Sequence, residues 1–596
     1  MSSHYVIGID LGTTNSVVAF APLDAELNPE IQLLAIPQIT APGTVESPTT
    51  LPSFLFLPPT HERQDAGFEL PWGNAGDEVV GQFARQQAAA MPDRTVATAK
   101  SWLGHTKVDR HAAILPWDAP AEVPRVSPVL ASQRYLEHLI AAWNDAHPDH
   151  PFQAQQIVLT VPASFDASAR ELTREAALAA GVPTNFVLLE EPQAAVYAWL
   201  ADQGDAWRKS LRVGDQLLVC DVGGGTTDLT LIGASDDNGN LILQRLAVGK
   251  HLLVGGDNMD LAIAHLAAQQ FDQRNVRLDA WQSVSLWHAC RLAKEALLGT
   301  DRPASYPVSV LGRGSRLIGG TVSVELAREA VESLVVDGFF PPCSLEDRPV
   351  KRRQSGFVEL GLPFENDTAI TRHVASFLND HGLASKQPVQ PTQVLFNGGV
   401  FRSEPLRQRM LQVLGNWFPS EPPQELIGGG DLEFAVARGA AYYGWTKQHG
   451  AMRIRGGTAR SYYIGIESAG LAIPGAPRPL KALCVVPFGM EEGSQIDVPA
   501  SETGLVLGEP VQFRFFSSLT RKHDQPGLLL NRWTEDELLE TDSLETTLPA
   551  GEGSEETYIP VRLQSRVTEL GVLELWCVST QSDESWKLEF SVRDQA

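Results

Sequence analysis

Cysteine is scarce, with five among 596 residues. Cys220, Cys290, Cys343, Cys484 and Cys577 are scattered, odd in number and form no Cys-x-x-Cys pair. That excludes a disulfide framework and indicates a reducing compartment. No apolar run approaches the roughly 18 residues needed to span a membrane, so no membrane partner is expected. The opening MSSHYVIGID enters a strand pattern directly, without the basic and apolar regions of a leader, and a cytoplasmic location follows as the expectation. Positive charge is also short: 47 Lys and Arg stand against 72 Asp and Glu, for a formal net charge of −25. With no long Lys/Arg run, nucleic acid is excluded as a partner, because a phosphate backbone demands a basic face. What remains is ordinary globular material, 43% hydrophobic and 20% charged. The chain is too long for one core, which predicts two to four domains.

Against these absences, VIGIDLGTTNSVVAF (6–20) is distinctive. An apolar strand runs into a turn of small polar residues and out into a second apolar strand, which predicts a hairpin. Gly12 is expected to take φ > 0, so that the N–H groups of Thr13, Thr14 and Asn15 converge as an anion-binding nest. Asp10 beside an anion site makes sense if the anion arrives with a divalent cation, since a carboxylate can hold the metal's water shell while N–H groups hold phosphate. The stretch asks for a metal nucleotide. LLVCDVGGGTTDLTLI (217–232) repeats the design, implying two similar half-domains with the nucleotide between them. A third glycine pair, Gly398-Gly399 in QVLFNGGVFRSEPLRQRMLQVL (393–414), ends a strand before a helix expected from Ser403 onward, and lets backbone approach an adenosine closely.

Taken in order, IDLGTTNS, TVPASFDASAR, LEEPQAAVYAWL, CDVGGGTTDLTL, VGGDNMDLAI, VLFNGGVFR and EFAVARGAAYYG resemble the nucleotide-binding domain of DnaK-like Hsp70 chaperones, within the actin and sugar kinase superfamily. The resemblance spans residues 5–447 and implies an α/β, two-lobed, actin-like (ribonuclease H-like) ATPase domain over 1–446. Its site residues carry over individually. Asp10 and Asp221 would hold the water shell of Mg2+, with K+ as an accompanying cation, without touching the metal. Gly12, Thr13, Thr14 and Asn15 would contact phosphates from one lobe, and Gly223, Gly224 and Gly225 from the other. Thr226 matches a hydroxyl near the γ-phosphate and Asp228 a further cleft acid. Lys100 would neutralise charge on the transferred phosphoryl group, and Glu191 would orient the attacking water. Gly256, Lys294, Gly399 and Arg402 would form the ribose and base slot, with Gly398 beside them. Pro162 and Arg170 would link nucleotide state to cleft motion.

The chain departs from that pattern in several places. Thr227 replaces a phenylalanine, which is expected to make the turn more polar, and Glu190 replaces an asparagine. Adjacent residues of an extended segment point to opposite faces, so only one of Glu190 and Glu191 is expected to face ATP. Arg291 stands for a glutamate and Leu298 for a serine, which predicts weak polar readout of the base. Residues 22–75 and 338–386, the latter with KRRQSG, look like insertions and are expected on the outer surface. The linker, 447–460, carries Met452 and Ile454 among Arg453, Arg455 and Arg460, little apolar surface for docking. Seven strand patterns follow: SYYIGIES, ALCVVPFG, SQIDVP, PVQFRFFSS, TYIPVRLQS, GVLELWCVS and WKLEFSVR. They predict a β-sandwich over 461–596, placed like a substrate-binding domain but without a helical lid. The reading is an Hsp70-like ATPase acting on client polypeptide, with a J-domain co-chaperone and an exchange factor as implied partners. A small-molecule kinase of the same superfamily and an actin-like structural protein are the alternatives.

Overall fold

The computed structural model describes residues 3–589 apart from interruptions, the longer being 60–66, 312–320, 351–361, 468–478, 548–557 and 568–572. The KRRQSG run, Met452, Arg453, Phe590 and Val592 lie outside the described residues.

Two hairpins organise the α/β part. Tyr5–Leu11 pairs antiparallel with Asn15–Pro22, and Gln216–Val222 pairs antiparallel with Thr227–Asp237. In both, the first hairpin strand is flanked in parallel by a later strand, Gln156–Val161 in one and Gln393–Asn397 in the other. Each of those has a further parallel neighbour, Val187–Glu190 and Gln424–Glu425. Parallel neighbours need crossover helices, here Ala167–Ala179 and Glu404–Trp417. Asp166 caps the first of these by accepting from the Ala169 amide at 2.8 Å. The outcome is the same pattern twice, in two six-stranded sheets.

The helices Glu191–Gln203 and Ala435–His449 share one core with both sheets: Val6 and Val158 from the first, Val219, Ile232 and Leu395 from the second, and Val196, Leu200, Val436 and Ala440 from the helices. Burial on more than one side explains why these helices are apolar nearly all round. Small residues permit the close approach. A Cβ on Gly8 would collide with the Ala437 backbone, and one on Gly439 with the carbonyl of Ala194.

The stretch 22–75, expected on the outer surface as loops or added elements, carries a series of short strands. Gln32–Leu33 and Thr50–Pro52 join the first sheet beside Asn15–Pro22, and Leu55–Phe56 is the middle strand of a three-stranded sheet. Phe54, Phe56, Phe68 and Phe83 form a core there. The prolines of this stretch punctuate short strands, while its phenylalanines are buried. In 338–386, the helix Ile370–Asp380 buries Val374, Phe377 and Leu378 against the second sheet's outer core.

Beyond residue 460, each of the seven expected segments contains strand. With Thr503–Val506, Leu529–Leu530 and Leu539–Glu540 they build two five-stranded antiparallel sheets that share a core including Ile464, Val485, Leu563, Leu575, Trp586 and Leu588. Tyr558–Val567 buries every second residue, the mark of a half-buried strand. The helix Ala435–His449 continues past the expected boundary at 446. The linker then docks by its main chain: Ile454–Arg455 pairs in parallel with Leu243–Gln244 at the edge of the second sheet. Such pairing needs no apolar side chains, which is why the composition concealed it. Two side-chain contacts join the same seam. Arg460 donates to the Ser164 carbonyl at 2.8 Å, and Lys522 donates to the Leu246 carbonyl at 3.1 Å.

Candidate functional site

The hairpin tips meet. A Cβ on Gly224 would strike the Thr14 hydroxyl, and one on Gly225 would press on Thr13, so glycine is needed where the tips touch. Gly12, expected in the left-handed region, does not take a positive φ. It is glycine because a Cβ would run into the Asn15 carbonyl. Between the tips lies a cavity of about 900 Å3.

Its floor is acidic. Asp10 and Asp221 stand near the ends of the first hairpin strands and both line the cavity. Thr160 donates to Asp10 at 3.3 Å, and Asn397 donates to Asp221 at 2.7 Å. Burial pushes Asp221 up to about 8, reinforced by Glu191, Asp228 and Asp10 around it. Burial raises Asp10 as well, against the pull of Lys100. Lys100, on the short helix Ala99–Leu103, forms an ion pair with Glu191, the first residue of Glu191–Gln203. Burial pushes Glu191 up to about 7 despite that partner. Burial would lower Lys100, but Glu191 and Asp10 hold it above its ordinary value. Asp228 accepts from Ser164 at 2.6 Å and lies 3.2 Å from His251 Nδ1. Burial opposes its ionisation, yet His251 and Ser164 keep it below the usual carboxylate value. The floor thus gathers four carboxylates around one ammonium.

Thr13, Thr14, Asn15, Gly12, Gly223, Gly224 and Thr226 line the cavity with Pro162. Gly225 and Arg170 do not: Gly225 packs against the other tip, and Arg170 reaches Glu190. The expectation of a more polar turn at Thr227 is overturned. Its side chain is fully buried and its hydroxyl is spent on the Val254 carbonyl at 2.8 Å. Glu190 and Glu191 diverge as adjacent residues should, with only Glu191 on the cavity.

The far wall is internally paired. Lys294 donates to the Gly256 carbonyl at 2.9 Å and pairs with Asp260 at 2.7 Å. Arg291 binds Asp260 at 2.9 Å and also Asp257. Gly398 has φ 84°, and a Cβ there would collide with the Val222 carbonyl. Gly399 and Arg402 also line the wall. Arg402 pairs with Glu433 at 3.2 Å and Asp431 at 3.3 Å, and Glu433 in turn accepts from Asn15 at 3.2 Å. Glu433, Asp257, Asn397 and His251 escaped the sequence reading. Asn397 carried a usable signal, as the polar strand end just before Gly398; His251 carried none. Among the described residues, no three acidic, imidazole or thiol groups converge tightly enough to ligate an ion directly. No helix among them is long and apolar enough to cross a membrane.

The family described as Hsp70 protein matches residues 71–341. That span holds Lys100, Glu191 and the second hairpin; the first hairpin and Gly398-Gly399 lie outside it and reach the same cavity through the fold. The chaperone protein HscA homolog of Bordetella pertussis is 30% identical over 339 residues, covering 55% of this chain and 47% of that protein. The chaperone protein dnaK1 of Prochlorococcus marinus is 29% identical over 347 residues, 56% of this chain and 46% of its own length. The chaperone protein DnaK of Stenotrophomonas maltophilia is 24% identical over 551 residues, 88% of this chain and 72% of its own. At about 30% identity, the matched part spans about half the length of the curated relatives.

Proposed function

We propose that this chain, a member of the Hsp70 family, binds Mg-ATP in the cavity between its hairpins, hydrolyses it, and uses the cycle to regulate binding of client polypeptide. In this reading residues 1–446 are a two-lobed actin-like ATPase domain and 461–596 are a β-sandwich that takes the client. The observation that carries it is the meeting of two glycine turns over four carboxylates and one ammonium. Such a floor sets four carboxyl groups against one ammonium, with burial holding Asp10, Glu191 and Asp221 above their ordinary carboxylate values, which suits a divalent cation held through water and phosphate.

Bound Mg-ATP would supply the phosphoryl group and the compensating positive charge, with K+ as a further cation. Asp10 and Asp221 would hold the ion's water shell. The turns at Gly12–Asn15 and Gly223–Gly225, with Thr226, would present N–H and hydroxyl groups to phosphate oxygens; from its place off the cavity wall, Gly225 would help by setting the turn. Lys100 would offset charge developing in transfer, where phosphoryl-transfer enzymes gain most of their rate. Glu191 would orient water and accept its proton, a role suited to a carboxyl poised near neutrality. Gly256, Lys294, Gly398, Gly399 and Arg402 would bound the ribose and base, and Pro162 and Arg170 would relay nucleotide state. A J-domain protein and an exchange factor are the co-chaperones this reading calls for. The test is ATP turnover by the full chain with and without unfolded peptide, then with a panel of small phosphoryl acceptors. Peptide-stimulated hydrolysis supports the reading; transfer to a small acceptor would replace it with a kinase.

A further inference from the structure

Near the cavity, Arg170 meets two further buried charges, Glu190 and Arg245, to which the chemistry above gives no part. Glu190, the last residue of the strand Val187–Glu190, accepts from Arg170 at 2.6 Å and forms a second ion pair with Arg245. Gln193 adds a contact to the same carboxylate at 3.3 Å. Arg170 comes from the helix Ala167–Ala179 beside the first sheet. Arg245 comes from Asn240–Val248 of the second sheet, one residue beyond the pair that holds the linker strand. The side chains of Arg170, Glu190 and Arg245 are 9%, 6% and 2% exposed.

Stability does not account for this arrangement, because a buried ion pair is commonly no more stabilising than well-packed apolar residues of the same volume. Geometry does. The carboxylate is clamped from both sheets, and the next residue is Glu191, whose carboxylate meets Lys100. A shift of the strand end would carry Glu191 with it, and about 1 Å of misplacement can cost on the order of 10²-fold in rate.

We infer that Glu190 is a positioning residue: bridging Arg170 and Arg245, it fixes the start of the Glu191–Gln203 helix and sets Glu191 against Lys100 only while the two sheets are held together. The inference rests on the nucleotide reading above for its rate consequence, but not for its structural one. Glu190→Gln alone leaves two buried guanidinium groups facing an amide and risks unfolding. The full-length double variant Glu190→Gln/Arg245→Gln removes one charge of each sign and is the main test.

That variant should unfold cooperatively and bind Mg-ATP within about threefold of the parent, while single-turnover hydrolysis falls roughly 10- to 100-fold. Glu190→Asp should fall between the two. Amide hydrogen exchange at 195–198, measured without nucleotide, should quicken at least about tenfold while the helix Ala435–His449 is unchanged. Hydrolysis within threefold of the parent overturns the inference, and so does unchanged exchange at 195–198. A parent chain that does not hydrolyse ATP sinks the nucleotide reading instead, and the exchange measurement still decides the placement of the helix.

Discussion

The floor and the far wall of the cavity hold similar residues to opposite effect. On the floor, Asp10, Glu191 and Asp221 gather about the ammonium of Lys100 while Asp228 also meets His251, and burial lifts Asp221 to about 8. On the wall, Asp257 and Asp260 are matched one for one by Arg291 and Lys294, while Asp431 and Glu433 share Arg402. An unbalanced cluster is costly alone and gains when an opposite charge arrives, whereas a balanced one has little left to offer a ligand. The floor is therefore suited to chemistry, and the wall to shape.

The sharpest break in that contrast is Lys100→Ala. Without the floor's cation, single-turnover hydrolysis at saturating Mg-ATP should slow by about 10²-fold or more; an unchanged rate would remove Lys100 from the chemistry. Next comes pH. The folded value of Asp221 lies above its ordinary 3.8, so the folded chain keeps a proton that the unfolded chain has released. Nucleotide-free stability should thus decline as pH rises from about 4 through about 8. Asp221→Asn, with Asn397 free to turn its amide, should flatten that slope and raise the melting temperature at pH 8 by roughly 2–4 °C. Scanning calorimetry across the window reads both, and a steeper slope in the variant would contradict the assignment.

The wall predicts less. With Leu298 and the self-paired Arg291 on the wall proposed to take the base, discrimination should rest on shape, worth about 1–3 kcal/mol. Titration calorimetry should find ATP favoured over GTP by no more than about 200-fold; a ratio near 10⁴ would mean polar readout of the base. Smallest is Arg402→Ala. Its side chain is 53% exposed, and exposed ion pairs contribute about 0–1 kcal/mol. ATP affinity should change by less than about fivefold, and a larger loss would show that the wall binds through Arg402 itself.

The contrast was half visible in the sequence. Asp10 and Asp221 each precede a glycine turn at a strand end, and local spacing of that kind is fixed by the chain itself. The strands Tyr558–Val567 and Leu573–Ser579 were legible because one apolar face imposes a period of two. The pairing of Glu190 with Arg245, 55 residues away, has no local pattern, and neither does the meeting of His251 with Asp228. Thr227 was misread because a hydroxyl's partner, here the Val254 carbonyl, decides whether it is polar surface or buried scaffold. The short strands of 22–75 have too little period to read, and their pairing beside Asn15–Pro22 and the core of Phe54, Phe56, Phe68 and Phe83 are visible only in the fold.

The strand Ile454–Arg455 also bears on how the chain avoids its own kind. It covers part of Asn240–Val248, whose Leu243 and Gln244 would otherwise offer bare amide and carbonyl groups at the rim of the five strands that remain. Open rims of that sort recruit strands from neighbouring molecules. The segment that tethers the two parts of the chain is thus also a guard against aggregation, and any motion that peels it away exposes a sticky edge until another strand takes its place.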